Sequence, residues 1–229
     1  VSSRWWEFTL ALLGLGLLFY DLRSTQREGR RKRASPAPRR AARRWLFAAV
    51  GLVSAFTYFN FGAFHFGSFI HGWDTFHYYL GAKYFRELSY DRLYDCATVA
   101  DATPESTDTP AAFAARLAHA ERRQVRNLRT NELASTAELL AHPERCTAHF
   151  SAERWQAFRR DVAWFRNREN PRRWDEIFAD HGFNATPVWN VAGSLLANLG
   201  PASDRLIGFL ALLDPLYFAA MAAVLVWAF

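Results

Sequence analysis

The residues best placed to do chemistry stand in one stretch, HGWDTFHYYLGAKYFRELSYDRLYDC, which runs from His71 to Cys96. On a helix, His71, Asp74 and His77 at i, i+3 and i+6 fall within about 120° of one another. Tyr78 stands one turn beyond Asp74. A carboxylate in that setting can act as general base toward a sugar hydroxyl, and with the two imidazoles it could hold a divalent metal. The plainer reading of the same residues is an interfacial aromatic belt whose polar members face water.

Two further features carry chemistry of their own. Cys96 and Cys146 are the chain's two cysteines. In an oxidising compartment they would pair, closing a loop worth ~3–4 kcal/mol; two free thiols are the alternative. Neither has the Cys/His spacing of a zinc site, so no metal centre is assigned to them. His65, near the end of an apolar run, is a candidate axial ligand for haem or a chlorophyll-type pigment, although a membrane histidine more often bonds to a neighbour.

The elements that must position these residues follow from charge and apolarity. Trp45–Ile70 is 26 residues without a charged side chain, Ile207–Phe229 is 23 residues interrupted by Asp214-Pro215, and Trp5–Leu22 is a shorter run holding Glu7. A helix needs roughly 20 apolar residues to cross a bilayer. The expectation is an all-α integral membrane protein with about three transmembrane helices. Its segments are 1–22, a basic loop 23–44, 45–70, a helical extracytoplasmic domain 71–205, and 206–229. Gly51 and Ala55 would let a second helix approach closely. A start at Val1 and an end inside an apolar run leave room for further helices after Phe229.

Residues 21–44 hold ten Lys and Arg against two acidic residues, whereas the whole chain carries +6. The remainder is therefore slightly acidic, and nucleic acid is not an expected partner. Short Arg-rich loops stay cytoplasmic, which would place 71–205 in the periplasm of a bacterial inner membrane. Membrane lipids are then expected partners, and the loop could bind anionic head groups.

Within 71–205 the sequence predicts helices and no strand. Residues 77–94 read as one or two aromatic-rich helices and 97–110 as a loop. A helix follows Pro110. Ser135 to Glu138 fits a capping box. Ser151 caps a helix to about Arg166, and Pro171–His181 is a helix stopped by Gly182. Thr186-Pro187 opens a helix that ends at Gly200-Pro201. Its Val188, Val191, Leu195 and Leu199 share one side, as in a helix lying on a membrane surface.

The stretch after His71 resembles the first extracytoplasmic loop of type-C membrane glycosyltransferases, which use polyprenyl-phosphate sugars. The resemblance rests on Asp74 just after an outward-going helix, on Tyr78, Tyr79 and Ala82, and on Leu93-Tyr94. It covers 45–95 well and 186–229 loosely. It implies an inverting enzyme in which Asp74 is the general base and the acceptor hydroxyl attacks the sugar C1. His71, His77 and Tyr78 would line the site, and Lys83 and Arg86 would approach the phosphate of a lipid-linked sugar. Such enzymes have many more transmembrane helices, which form the lipid-sugar cavity, and 97–180 has no counterpart in them. The alternative is a non-catalytic transmembrane accessory subunit of a respiratory or photosynthetic complex. Nine Trp, twenty Phe and eight Tyr would then anchor it to other transmembrane subunits.

Overall fold

The structure is a computed structural model that describes residues 3–31, 37–58 and 69–228. The chain forms two compact units, 1–69 and 70–229. In the first, α1 (Ser3–Arg31) packs against α2 (Ala37–Tyr58). Helix α1 continues through much of the segment expected to be a loop, and α2 begins before the expected end of that loop.

The expectation of an integral membrane protein with three spans is corrected. Among the described residues, no helix is long and apolar enough to cross a membrane. The physical reason is where charge falls on each helix. Between Glu7 and Asp21, α1 has thirteen uncharged residues, about 20 Å at 1.5 Å per residue. The hydrocarbon layer is about 30 Å thick. Helix α2 opens on arginines and ends at Tyr58, so its described part keeps only fourteen residues of the 26-residue run. Residues 59–68, with His65, lie outside the described residues. Helix α13 (Asp204–Ala228) carries Asp214 and Pro215 within its length.

The second unit is built around the segment that carries the chemistry. That segment comprises α3 (Gly72–Thr75), a π-helical turn (Phe76–Leu80), α4 (Gly81–Lys83), α5 (Phe85–Leu88) and α6 (Leu93–Asp101). Then come α7 (Pro110–Arg122), β1 (Gln124–Arg126), β2 (Leu133–Ser135), α8 (Ala137–Ala141), α9 (Glu144–Thr147), α10 (Ala152–Arg166), α11 (Pro171–Phe178) and α12 (Pro187–Ala197). The strands form an antiparallel hairpin, Gln124 opposite Ser135 and Arg126 opposite Leu133. At three residues each they are too short to show a period-2 pattern, which is why the sequence hid them.

Helix starts were set locally. Thr109, Ser151, Asn170 and Thr186 each accept a hydrogen bond from the backbone N–H three residues on, and Pro follows directly in α7, α11 and α12. The capping box at Ser135 is not used in that form. Thr136 is the N-cap of α8, and its hydroxyl donates to the Ala120 carbonyl instead.

The expected loop at 97–110 is also corrected, because α6 runs to Asp101. Its carboxylate, which reads as a helix breaker, is buried and held by Arg123, Arg166 and the Trp174 indole. Cys96 and Cys146 join α6 to α9 as a disulfide, with Cα atoms 5.2 Å apart. The core is aromatic. Phe76 meets Phe165 and Trp174 edge-to-face at 5.7 and 5.5 Å, and Phe178 closes the cluster.

A buried polar network crosses this core. Asp161 on α10 pairs with Lys83 at 2.8 Å, accepts the Tyr84 hydroxyl and accepts the Ala202 N–H. Lys83 also donates to the Gly200 carbonyl and the Tyr79 hydroxyl. The network thus ties the entry to α13 onto the central segment.

Candidate functional site

Asp74 sits in the first turn of α3, where the N-terminal end of a helix favours a carboxylate. It is 57 % exposed, and His71, at 15 %, places Nδ1 2.5 Å from Asp74 Oδ2. On the other ring nitrogen, Arg173 approaches Nε2 at 3.5 Å. Arg173 is held in turn by Glu169 at 3.2 Å. Gly72 gives the Glu169 carboxylate room here, since a Cβ at that position would push it aside. The chain Glu169–Arg173–His71 therefore orients one oxygen of Asp74.

The π-helical turn follows at once. Such turns add a residue to the helical cycle and re-aim side chains, often at functional sites. The face expected to hold His71, Asp74 and His77 together is thereby split. His77 points into the core, 3 % exposed. Its Nδ1 donates to the Trp73 carbonyl at 2.8 Å, and its Nε2 accepts the Tyr94 hydroxyl at 2.6 Å. Burial lowers its pKa, so it is a neutral structural residue here.

Tyr78 takes the outward position. Its hydroxyl donates to Asn184 Oδ1 at 3.1 Å, and its ring meets Trp189 edge-to-face at 5.9 Å. Asp74 and Tyr78 together line a cavity of about 540 Å³. Thr75, Asn184, Thr186 and Trp189 also line it. Its remaining wall is apolar and comes from α12 and α13, with Leu196, Ile207, Leu210, Ala211 and Leu213.

Two glycines make this geometry feasible. Gly182 has φ +80°, and its N–H donates to the Tyr94 hydroxyl. The chain turns there in a left-handed conformation that suits glycine and brings Asn184 round to Tyr78. At Gly193 a Cβ would lie 2.6 Å from Trp189, so the missing side chain leaves room for the indole that lines the cavity.

Lys83 and Arg86 do not line this cavity. They face a separate groove of about 1040 Å³, on the side of α12 that carries Asn190, Val191 and Leu195. Burial lowers the Lys83 pKa while Asp161 pulls it back up, and its ammonium is engaged with Asp161, Tyr79 and Gly200. Arg86 is exposed at the groove.

Among the described residues, no group of three His, Cys, Asp or Glu side chains could hold a metal ion. Asn184, Trp189 and the α13 wall were not legible as site residues. The one signal near them was the Thr186-Pro187 helix start, which predicts α12 but not what it faces. Comparison with protein-family models, with curated proteins and with solved structures finds no match.

Proposed function

We propose that the cavity at Asp74 binds a sugar-like polyol, and that Asp74 is the general base toward one of its hydroxyls, the role an acceptor site needs in inverting glycosyl transfer. The observation that carries this reading is the meeting of Asp74, Tyr78, Asn184 and Trp189 around one cavity. A carboxylate and an amide suit hydroxyl groups, and aromatic rings suit the apolar faces of a sugar. At about 540 Å³ the volume suits a single small ligand.

In the proposed step the acceptor oxygen gives its proton to Asp74 as it bonds to the anomeric carbon of the donor. The bond from that carbon to the departing phosphate oxygen breaks, and the phosphate leaves with the electron pair. His71 positions Asp74 and does not touch the reacting atoms. The donor phosphate would be met outside this cavity, since neither Lys83 nor Arg86 lines it.

The test is Asp74→Asn, which keeps size and hydrogen bonding but removes the basicity. Transfer from a polyprenyl-phosphate sugar to a methyl glycoside should fall roughly 10²–10⁴-fold, with methyl glycoside binding by calorimetry retained. Transfer at the wild-type rate would refute the base.

A further inference from the structure

We infer that the ligand of the Asp74 cavity is an amphiphile, a hydroxylated head carried on an apolar tail, rather than a free sugar. This rests on the reading of Asp74 as the group that meets the hydroxyl. The cavity is lined from two unlike sources. The segments 74–78 and 184–186 supply Asp74, Thr75, the Tyr78 hydroxyl, Asn184 and Thr186. Among the described residues, helix α13 and the last turn of α12 supply only carbon, from Leu196, Ile207, Leu210, Ala211 and Leu213.

A free sugar presents hydroxyls around its whole rim. Against the α13 wall those hydroxyls would lose water and find no partner, at a cost that counts against binding. An alkyl or isoprenoid tail would bury carbon against carbon there. On the polar side, Asn184 spends its carbonyl on Tyr78, and its amide N–H groups have no protein partner among the described residues. They are donors available to a head-group oxygen, while Asp74 accepts from a head-group hydroxyl.

Trp189 separates the two linings. It is held by an N–H bond from its indole to the Tyr78 carbonyl at 3.3 Å and by the space over Gly193. It presents apolar area with a polar edge, as befits the junction of head and tail. Ala211 matters for the opposite reason: it is the smallest residue of the α13 wall, and half-buried. Its methyl leaves the volume that a tail would fill.

The experiment is calorimetric titration of the whole chain with methyl, butyl, hexyl and octyl β-glucosides, each below its micelle concentration. Affinity should rise by roughly fourfold per added methylene until the wall is covered, the increment for burying one CH₂. In Ala211→Leu, a helix-compatible change that fills the tail space, the rise with chain length should stop at a shorter chain than in the wild type. No dependence on chain length, or a dependence that Ala211→Leu leaves unaltered, would overturn the inference. Asp74→Asn separates the two ideas. A normal transfer rate with chain-length dependence intact sinks the base and spares the tail site; lost transfer with no chain-length dependence does the reverse.

Discussion

Replacing Asp95 by Asn should stabilise the protein, and by an amount that depends on pH. Asp95 lies in the first turn of α6, half-buried, and lines a cleft of about 390 Å³ with Asp91, Arg129, Glu138, His142 and Arg145. Arg129 is bound to Asp91 and Arg145 to Glu138, so the nearby cations are engaged elsewhere. Burial, and then the negative charge of Asp91, push the Asp95 pKa up to about 6, against a weaker pull from Arg129 and Arg92.

The sign is the reverse of the usual carboxylate. The folded state holds the proton more tightly than the unfolded chain, whose Asp titrates near about 3.9. Stability is therefore full below about pH 4, falls as pH rises through the window from 4 to 6, and is flat above it. Two units at 1.36 kcal/mol each give about 3 kcal/mol, and partial exposure brings this nearer 2 kcal/mol. Asp95→Asn should gain that amount at pH 8 and almost nothing at pH 4. Urea unfolding followed by near-UV circular dichroism, variant minus wild type at both pH values, measures it. An equal effect at pH 4 and pH 8, or none at pH 8, would refute the assignment.

Two more outcomes are expected beside the Asp74 and chain-length experiments. Reducing Cys96–Cys146, or changing both residues to Ser, should cost about 4 kcal/mol for a loop of this length; an unmoved urea midpoint would show that the bond does not constrain the unfolded chain. Lys83→Met strands the Asp161 carboxylate in the core and should cost about 3–5 kcal/mol, whereas Lys83→Met with Asp161→Asn should cost less than that single change. Simple additivity in that double-mutant cycle would mean that the pair is not coupled.

Local signals were legible wherever a short segment decides its own structure. The Thr-Pro and Asn-Pro starts of α7, α11 and α12 and the Ser151 cap of α10 depend on neighbours within a few residues, whereas α11 ends at Phe178, short of the expected stop at Gly182. Asp74 was legible as a candidate carboxylate from its residue type and its i, i+3 spacing from His71, with which the structure pairs it. The two cysteines were legible as a candidate pair, with free thiols as the alternative, and the structure joins them.

Long apolar runs misled for a related reason. A run of uncharged residues fixes that a segment avoids water, but not how much of it is one helix. In α1 and α2 the helices extend into charged residues instead of fitting the uncharged span. His77 shows the same limit inside the site. Its spacing from Asp74 is right for one face of an α-helix, but the π-helical turn from Phe76 rotates it into the core against Tyr94. Lys83 reads as a surface cation and becomes a core residue because Asp161, 78 residues later, is there to pair with it.

The sequence by itself determined a helical chain, its main helix starts and one chemically able carboxylate, because each is a matter of composition or of neighbours along the chain; that Cys96 and Cys146 pair was decided by the packing of α6 against α9. Only the tertiary structure decided that Asp74 meets Tyr78, Asn184 and Trp189 across a cavity walled by α13, and that Lys83 and Arg86 face elsewhere. Those contacts join residues more than a hundred positions apart. They depend on how α12 and α13 pack against the central segment, which no local pattern encodes.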